Sequence, residues 1–105
     1  APIVAFYTGG EFKAQAAVSD INNSSRLGQR FTRLYRGVLR RNASTAERDS
    51  WVNWVYAQAP GYPGATLTAK REAAYNAAVA FFAGSTEFSS RFSSGYDGEI
   101  ALCAN

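Results

Sequence analysis

Apolar residues recur at helical spacing along most of the chain. The clearest pattern lies in residues 26–41, where the apolar side chains are Leu27, Phe31, Leu34, Tyr35, Val38 and Leu39. At about 100° per residue they cover an arc of about 140°, the width of a stripe that faces a core. Gly37 lies inside this segment, and a close approach by another backbone would explain a glycine there. The pattern predicts an amphipathic helix with one buried side.

A polar break separates this helix from a weaker one before it. Thr8 and Glu11 have the spacing of a capping box, which predicts a helix over residues 11–18. Residues 20–25 are almost entirely polar, and Ser25 is the predicted cap of the helix that follows.

The second half of the chain predicts two long helices and a loop. Ser44 and Glu47 form a second capping-box pair, before a helix whose predicted inward residues are Trp51, Val52 and Val55, with Trp54 on a flank. Residues 57–64 contain two prolines and two glycines, which predicts a loop. Thr66 or Thr68 then caps a helix that runs to Ala83, with a predicted packing side of Ala74, Ala77, Ala78, Phe81 and Phe82.

The sequence after Ala83 predicts a short helix and a non-helical tail. Gly84 is placed to end the long helix in left-handed geometry, and Ser85 to cap a last helix that carries Phe88 and Phe92. Residues 93–105 predict an extended tail. We therefore predict one all-α domain over residues 1–105, a compact bundle of four to five helices with one Pro/Gly-rich loop.

The composition excludes several kinds of functional site but does not identify the function. The chain has 105 residues, a net charge of +3, no histidine and one cysteine, Cys103. The absence of histidine excludes a Ser-His-Asp triad and histidine-based zinc sites, and a single cysteine excludes an intrachain disulfide. The longest uncharged apolar run, residues 77–83, is far shorter than the roughly 20 residues of a membrane span. The missing methionine and the small residues at the start favour an exported, processed chain, although a trimmed tag would look the same.

Nothing in the sequence favours an enzyme. Glu47 and Asp49 are two residues apart on a predicted helix and point in different directions. Asp97 and Glu99 resemble half a calcium loop, with too few oxygen ligands for a site. We therefore expect no catalytic residues, no metal and no cofactor.

A basic face is the first candidate for binding. Six of the eleven basic residues lie opposite the apolar stripe of residues 26–41: Arg26, Arg30, Arg33, Arg36, Arg40 and Arg41. Guanidinium groups bind phosphate, sulfate and carboxylate groups, so the predicted partner is an anionic surface polymer. The sequence does not favour nucleic acid, because it contains no helix-turn-helix or zinc-finger signature. The alternative is a structural face whose arginines pair with Glu47, Asp49, Glu72 or Glu87.

An aromatic loop is the second candidate. Trp54, Tyr56 and Tyr62 lie beside two prolines, and such rings can form a platform for sugars, with Asn53, Gln58 and Thr66 as hydrogen-bonding partners. The alternative is that these rings belong to the core.

Part of the chain resembles a known family. The matching positions are Phe31, Leu34, Tyr35, Arg36, Leu39, Trp51, Phe82, Ser85, Glu87 and Phe88. In this order they resemble the bacterial exoprotein domain of unknown function 4214 family, over residues 29–92, with Arg40-Arg41 where the family has Gly-Arg. The family is similar to phycobilisome linker domains and occurs in exported chains. The resemblance implies a helical fold and export, and it carries no catalytic residues.

These observations predict a secreted or cell-surface, non-enzymatic module that binds carbohydrate or acidic glycan through the basic face and the aromatic loop. The alternative function is a structural or assembly domain that acts through protein contacts. A homo-oligomer is one form that such contacts could take.

Overall fold

The computed structural model describes residues 2–85 of the chain. Within that range it is helical and has no strand, with five α-helices: α1 Pro2–Thr8, α2 Gly10–Lys13, α3 Ser24–Leu34, α4 Thr45–Gln58 and α5 Leu67–Ala83. A π-helical turn, Tyr35–Leu39, continues α3, and a 3-10 turn, Ala59–Gly61, continues α4. The prediction of a small all-α bundle is confirmed.

The core forms around the apolar stripe of α3 and its π-helical continuation. All six residues of the predicted stripe are buried. Phe31 lies at the centre of the aromatic contacts, with its ring centroid 5.8 Å from that of Trp51 and 6.2 Å from that of Phe82. These contacts join α3 to α4 and α5, so the stripe positions the other two long helices.

The first third of the chain departs from the sequence prediction. The structure contains α1, which the pattern did not indicate, and Thr8 lies inside it with its hydroxyl donating to the Val4 carbonyl at 2.7 Å. The predicted capping box of Thr8 and Glu11 is therefore wrong: Gly9 is the N-cap, and α2 ends at Lys13.

The helix caps are partly as predicted. Asn23, not Ser25, caps α3, because its side chain accepts a hydrogen bond from the Arg26 N–H at 3.2 Å. The capping box of Ser44 and Glu47 is confirmed, with both hydrogen bonds present at 3.1 and 2.9 Å. Thr66 caps α5 through the Ala69 N–H, which decides between the two predicted threonines.

The end of α5 corrects two further predictions. Gly84 has a φ of −93°, so it ends the helix without left-handed geometry. Phe81 is 52% exposed, whereas Tyr75 and Val79, which the predicted packing side omitted, are fully buried. The predicted last helix with Phe88 and Phe92, the tail 93–105, the half calcium loop and Cys103 lie outside the described residues.

The π-helical turn coincides with a close approach by α1. A Cβ at Gly37 would lie 1.7 Å from the Tyr7 hydroxyl oxygen, so the neighbour is a side chain rather than the expected backbone. The Tyr75 hydroxyl donates to the Tyr7 carbonyl at 2.9 Å and ties α1 to α5 as well. No helix in residues 2–85 is both long and apolar enough to span a membrane.

Candidate functional site

The six arginines of the predicted basic face do not form one open surface. Arg26, Arg30 and Arg33 all reach toward the irregular segment 15–19 that connects α2 to α3. Arg26 donates to the Ala16 carbonyl, and Arg33 donates to the side-chain oxygen of Gln15. Irregular backbone leaves carbonyl groups without ladder partners, and guanidinium donors satisfy them. One side of the basic face therefore holds a connecting segment in place.

Arg30 was predicted to bind a ligand, and this prediction is wrong because its side chain is fully buried. Its Nε donates to the Val18 carbonyl at 2.7 Å, and one Nη donates to the Ser19 carbonyl at 3.2 Å. The two Nη atoms also bind both carboxylate oxygens of Glu72, at 2.7 and 3.0 Å. With its guanidinium 4.8 Å from the centre of the Tyr75 ring, Arg30 cannot reach a ligand in solution. The structural alternative is confirmed for this residue.

The surroundings of Glu72 and Lys13 lower the pKa of both groups. Lys13 lies 3.4 Å from Glu72 and donates to the Asn76 side chain at 2.8 Å. Burial raises the pKa of Glu72, but the hydrogen bonds and charge of Arg30, together with Lys13, bring the pKa below its ordinary value. Burial lowers the pKa of Lys13, and Glu72 opposes that change. This cluster joins α2, α3 and α5.

Arg41 is also held by an acidic residue. Its two Nη atoms bind the Glu47 carboxylate oxygens at 2.8 and 2.7 Å, and its guanidinium lies 4.9 Å from the centre of the Tyr35 ring. The Arg41 hydrogen bonds, followed by the Ser44 backbone N–H, lower the pKa of Glu47 to about 2. Arg41 therefore supports the capping box at the start of α4, as the structural alternative predicted.

Arg36 and Arg40 form an exposed corner at the end of the π-helical turn. Arg36 Nε donates to the Asn42 side chain at 3.0 Å, and Arg40 adopts left-handed geometry with a φ of 61°. With Arg41 and Asn42 they line a shallow pocket of about 270 Å³. Among the six arginines of the predicted anion-binding face, Arg26, Arg36 and Arg40 are the exposed ones.

The aromatic loop divides into two parts. Trp54 and Tyr62 come together, with ring centroids 6.4 Å apart, and Phe81 of α5 joins them at 5.5 Å from Trp54. We call Trp54, Tyr62 and Phe81 the aromatic cluster. Trp54 also packs on Trp51 at 5.6 Å, so the cluster is continuous with the core. The sequence assigned Phe81 to the core and so missed its place here.

Tyr56 does not belong to this cluster, which corrects the sequence prediction. It lies two residues after Trp54 and therefore on the other side of α4. Its hydroxyl donates to the Ile21 carbonyl at 2.8 Å, and its ring lies 4.4 Å from the Arg71 guanidinium. Tyr56 thus fastens the segment before α3 to α4.

A groove of about 460 Å³ lies between α3 and α4. We call it the polar groove, and its lining residues are Ser24, Ser25, Gly28, Gln29, Arg48, Asp49, Val52 and Asn53. Because Gly28 has no side chain, the stem of Arg48 lies close across α3, with its Cδ 3.2 Å from where a Cβ would stand. Arg48 Nε lies 3.2 Å from the Asp49 carboxylate. Among these residues the sequence proposed only Asn53 for ligand binding, since a groove exists only once the two helices are packed.

The polar groove differs from the basic face in how its hydrogen-bonding groups are used. Within residues 2–85, no side-chain hydrogen bond forms to Ser24, Ser25, Gln29 or Asn53. These hydroxyls and amides each have donors and acceptors. Their hydrogen-bonding capacity is open to a ligand, whereas Arg30 and Arg41 are bound within the protein.

Metal chemistry has no support in the described part of the chain. Among residues 2–85, no three side chains of the His, Cys, Asp and Glu types lie close enough together to hold a metal ion.

Comparison with known proteins gives no match, whether with family models, with curated proteins or with solved structures. The resemblance of residues 29–92 to the domain of unknown function 4214 family stays a prediction.

Proposed function

We propose that this domain is an exported, non-enzymatic module that binds carbohydrate, with the aromatic cluster as its contact surface. The observation that carries the proposal is that three rings from α4, α5 and the loop between them meet at the surface, and that Phe81 among them is 52% exposed. A single exposed apolar side chain is ordinary, whereas one that continues into two half-buried rings, here Trp54 and Tyr62, forms a larger apolar surface of the kind that marks interaction sites.

The cluster offers a sugar separate aromatic faces, because its rings meet edge to face at interplanar angles of 63° and 80°. The C–H face of a sugar ring packs on an aromatic face, and rigid rings supply contact area at a low cost in conformational entropy. The Tyr62 backbone is held at both polar groups, since its N–H donates to the Ala59 carbonyl at 2.9 Å and its carbonyl accepts from Lys70 Nζ at 3.3 Å. The rings are therefore fixed on helical supports before a ligand arrives.

Of the three residues predicted to hydrogen-bond a sugar beside the rings, only Gln58 is suitably placed. Gln58 follows Trp54 by four residues, so it lies on the same flank of α4 and fits the role. The Thr66 hydroxyl is used to cap α5, and Asn53 lies in the polar groove. Gln58 is therefore our proposed polar contact beside the rings.

A neutral sugar fits this surface better than an acidic glycan. None of the three ring residues is charged. Glu47 precedes Trp54 by seven residues, about 10 Å along α4, and it binds Arg41 directly. The Arg41 guanidinium on this flank is thus already paired, and the Lys70 ammonium beside Tyr62 is bound to the Tyr62 carbonyl, which reduces the attraction for an acidic group.

A glycan array that displays neutral and acidic oligosaccharides tests the proposal. We expect wild-type protein to bind neutral glycans, and Phe81→Ala to weaken that binding about tenfold or more, which is about 1.4 kcal/mol. Leu67→Ala is the matched control, because Leu67 is on the same helix and is 50% exposed. An array with no signal above background at low salt would overturn the proposal.

The second candidate is a structural or assembly domain, and the same cluster favours it, because an exposed apolar patch also suits a protein contact. Light scattering after size exclusion separates the two functions. A concentration-dependent oligomer that Phe81→Ala abolishes, in a protein that binds no glycan, supports assembly instead.

A further inference from the structure

The aromatic cluster and the polar groove lie on opposite flanks of α4 but are adjacent along it. Asn53 lines the groove, and the next residue, Trp54, belongs to the cluster. Consecutive Cα atoms are about 3.8 Å apart, and successive side chains of an α-helix diverge by about 100°. A ligand that binds the aromatic cluster and extends across the outer side of α4 therefore reaches the polar groove within a few ångströms.

The outer side of α4 between the aromatic cluster and the polar groove carries small, uncharged side chains. Ser50 and Ala57 are each three or four residues from both Asn53 and Trp54, so they occupy the ridge that separates the two flanks. Both are exposed. Neither a long nor a charged side chain stands between the cluster and the groove at these positions.

The groove offers the chemistry that the cluster lacks. Its two serines and two amides donate and accept hydrogen bonds, which matches the paired hydroxyls of a sugar. Val52 gives it one apolar surface, and the only charged groups in its lining, Arg48 and Asp49, lie 3.2 Å apart and cancel. Such a lining does not suit a lipid, and it adds no net attraction for an anion.

We propose that the polar groove is a second sugar subsite, and that one neutral oligosaccharide crosses α4 from the aromatic cluster into the groove. This inference rests on the proposed function. The cluster supplies stacking for one part of the chain, and Gln29 and Asn53 in the groove hydrogen-bond to another. The ligand is therefore an oligosaccharide rather than a single sugar.

The same array tests the inference when it displays each neutral series as a monosaccharide and as oligosaccharides of increasing length. The test variant is the double substitution Gln29→Ala and Asn53→Ala, both on helices, where alanine is the best helix former. Thr45→Ala, at the start of α4 and outside the groove lining, is the control for loss of an exposed polar group.

We expect the double variant to bind the longer oligosaccharides about tenfold more weakly and the monosaccharides as wild-type protein does. Phe81→Ala is expected to weaken both. Wild-type binding at every length by the double variant would overturn the second subsite and leave the proposed function standing. Binding that needs the groove and is unaffected by Phe81→Ala would overturn the shared path, and no glycan signal at all would overturn both proposals.

Discussion

The hydroxyl oxygen of Tyr7 stands 1.7 Å from the position that a Cβ on Gly37 would take. The Tyr7 ring therefore reaches the backbone of the π-helical turn, and its hydroxyl donates to the carbonyl of Arg33, in the last turn of α3, at 3.5 Å. Short π-helical turns disturb the regular hydrogen-bond ladder of a helix, and a neighbouring side chain can occupy the space. The Tyr7 side chain packs against the end of α3 because residue 37 has no side chain.

Gly37→Ala is therefore expected to destabilise the fold, although alanine favours a helix. Forcing a methyl group into occupied space costs about 1–3 kcal/mol. Urea unfolding, monitored by circular dichroism, measures this loss in the free energy of unfolding. Gly28→Ala is the matched control, because its Cβ would meet the flexible Arg48 side chain at 3.2 Å, and we expect it to be neutral or stabilising. Equal losses in the two variants would contradict the argument.

Tyr7→Phe is expected to restore part of the stability of Gly37→Ala. Without the hydroxyl, the nearest ring atom to the new Cβ is Cζ, at 2.9 Å in the present geometry. The four proteins of a double-mutant cycle measure this coupling. Additive effects would show that the contact between Tyr7 and residue 37 is not what limits the variant.

Arg30→Met is expected to lower the free energy of unfolding by about 3–5 kcal/mol. The change leaves the Glu72 carboxylate with Lys13 as its cation and removes the donors of the Val18 and Ser19 carbonyls. Arg36→Met, at an exposed position on the same helical segment, is expected to change stability by less than about 0.5 kcal/mol. A small effect of Arg30→Met in urea unfolding would argue against a buried ion pair.

Glu47 makes stability depend on acid pH. Its folded pKa is about 2 against an ordinary 4.5, so the carboxylate stabilises the fold above pH 4.5, and this contribution is lost as pH falls toward 2. Glu47→Gln is expected to remove this part of the acid dependence. NMR titration of the Glu47 carboxyl checks the cause, and a midpoint near 4.5 would contradict the bidentate pair with Arg41.

Binding of a neutral oligosaccharide is expected to be nearly independent of salt. Screening weakens only interactions between charges, and the aromatic cluster contains none. Titration of the strongest neutral glycan on the array at low and high ionic strength measures the dependence. A steep loss of affinity with salt would instead show that charged side chains carry the binding and would contradict the aromatic contact surface.

Local patterns predicted the elements that depend on local interactions. The apolar stripe of α3, the capping box of Ser44 and Glu47, and a threonine cap of α5 each involve residues within a few positions of one another. All three were confirmed, and of the two candidate threonines Thr66 is the cap. Helix α1 was missed because its first residues are mostly apolar and carry no polar face that would mark a helical period.

The candidate site depended on long-range packing. Arg30 lies at the border of the apolar stripe, and its burial follows from Glu72, which is 42 residues later. Tyr56 and Trp54 looked equivalent in one loop, yet their different directions on α4 place them on different flanks.

The sequence by itself determined that this protein is an all-helical bundle, which side of residues 26–41 enters the core, and where α4 begins. Hydrophobic periodicity and capping act within one helix, so one segment suffices to specify them. Tertiary structure alone decided which arginines are locked inside the protein, that Phe81 joins Trp54 and Tyr62 at the surface, and that a groove with open hydrogen-bonding groups lies between α3 and α4. Each of these depends on the distance between residues far apart in the chain, which only the packing of the helices sets.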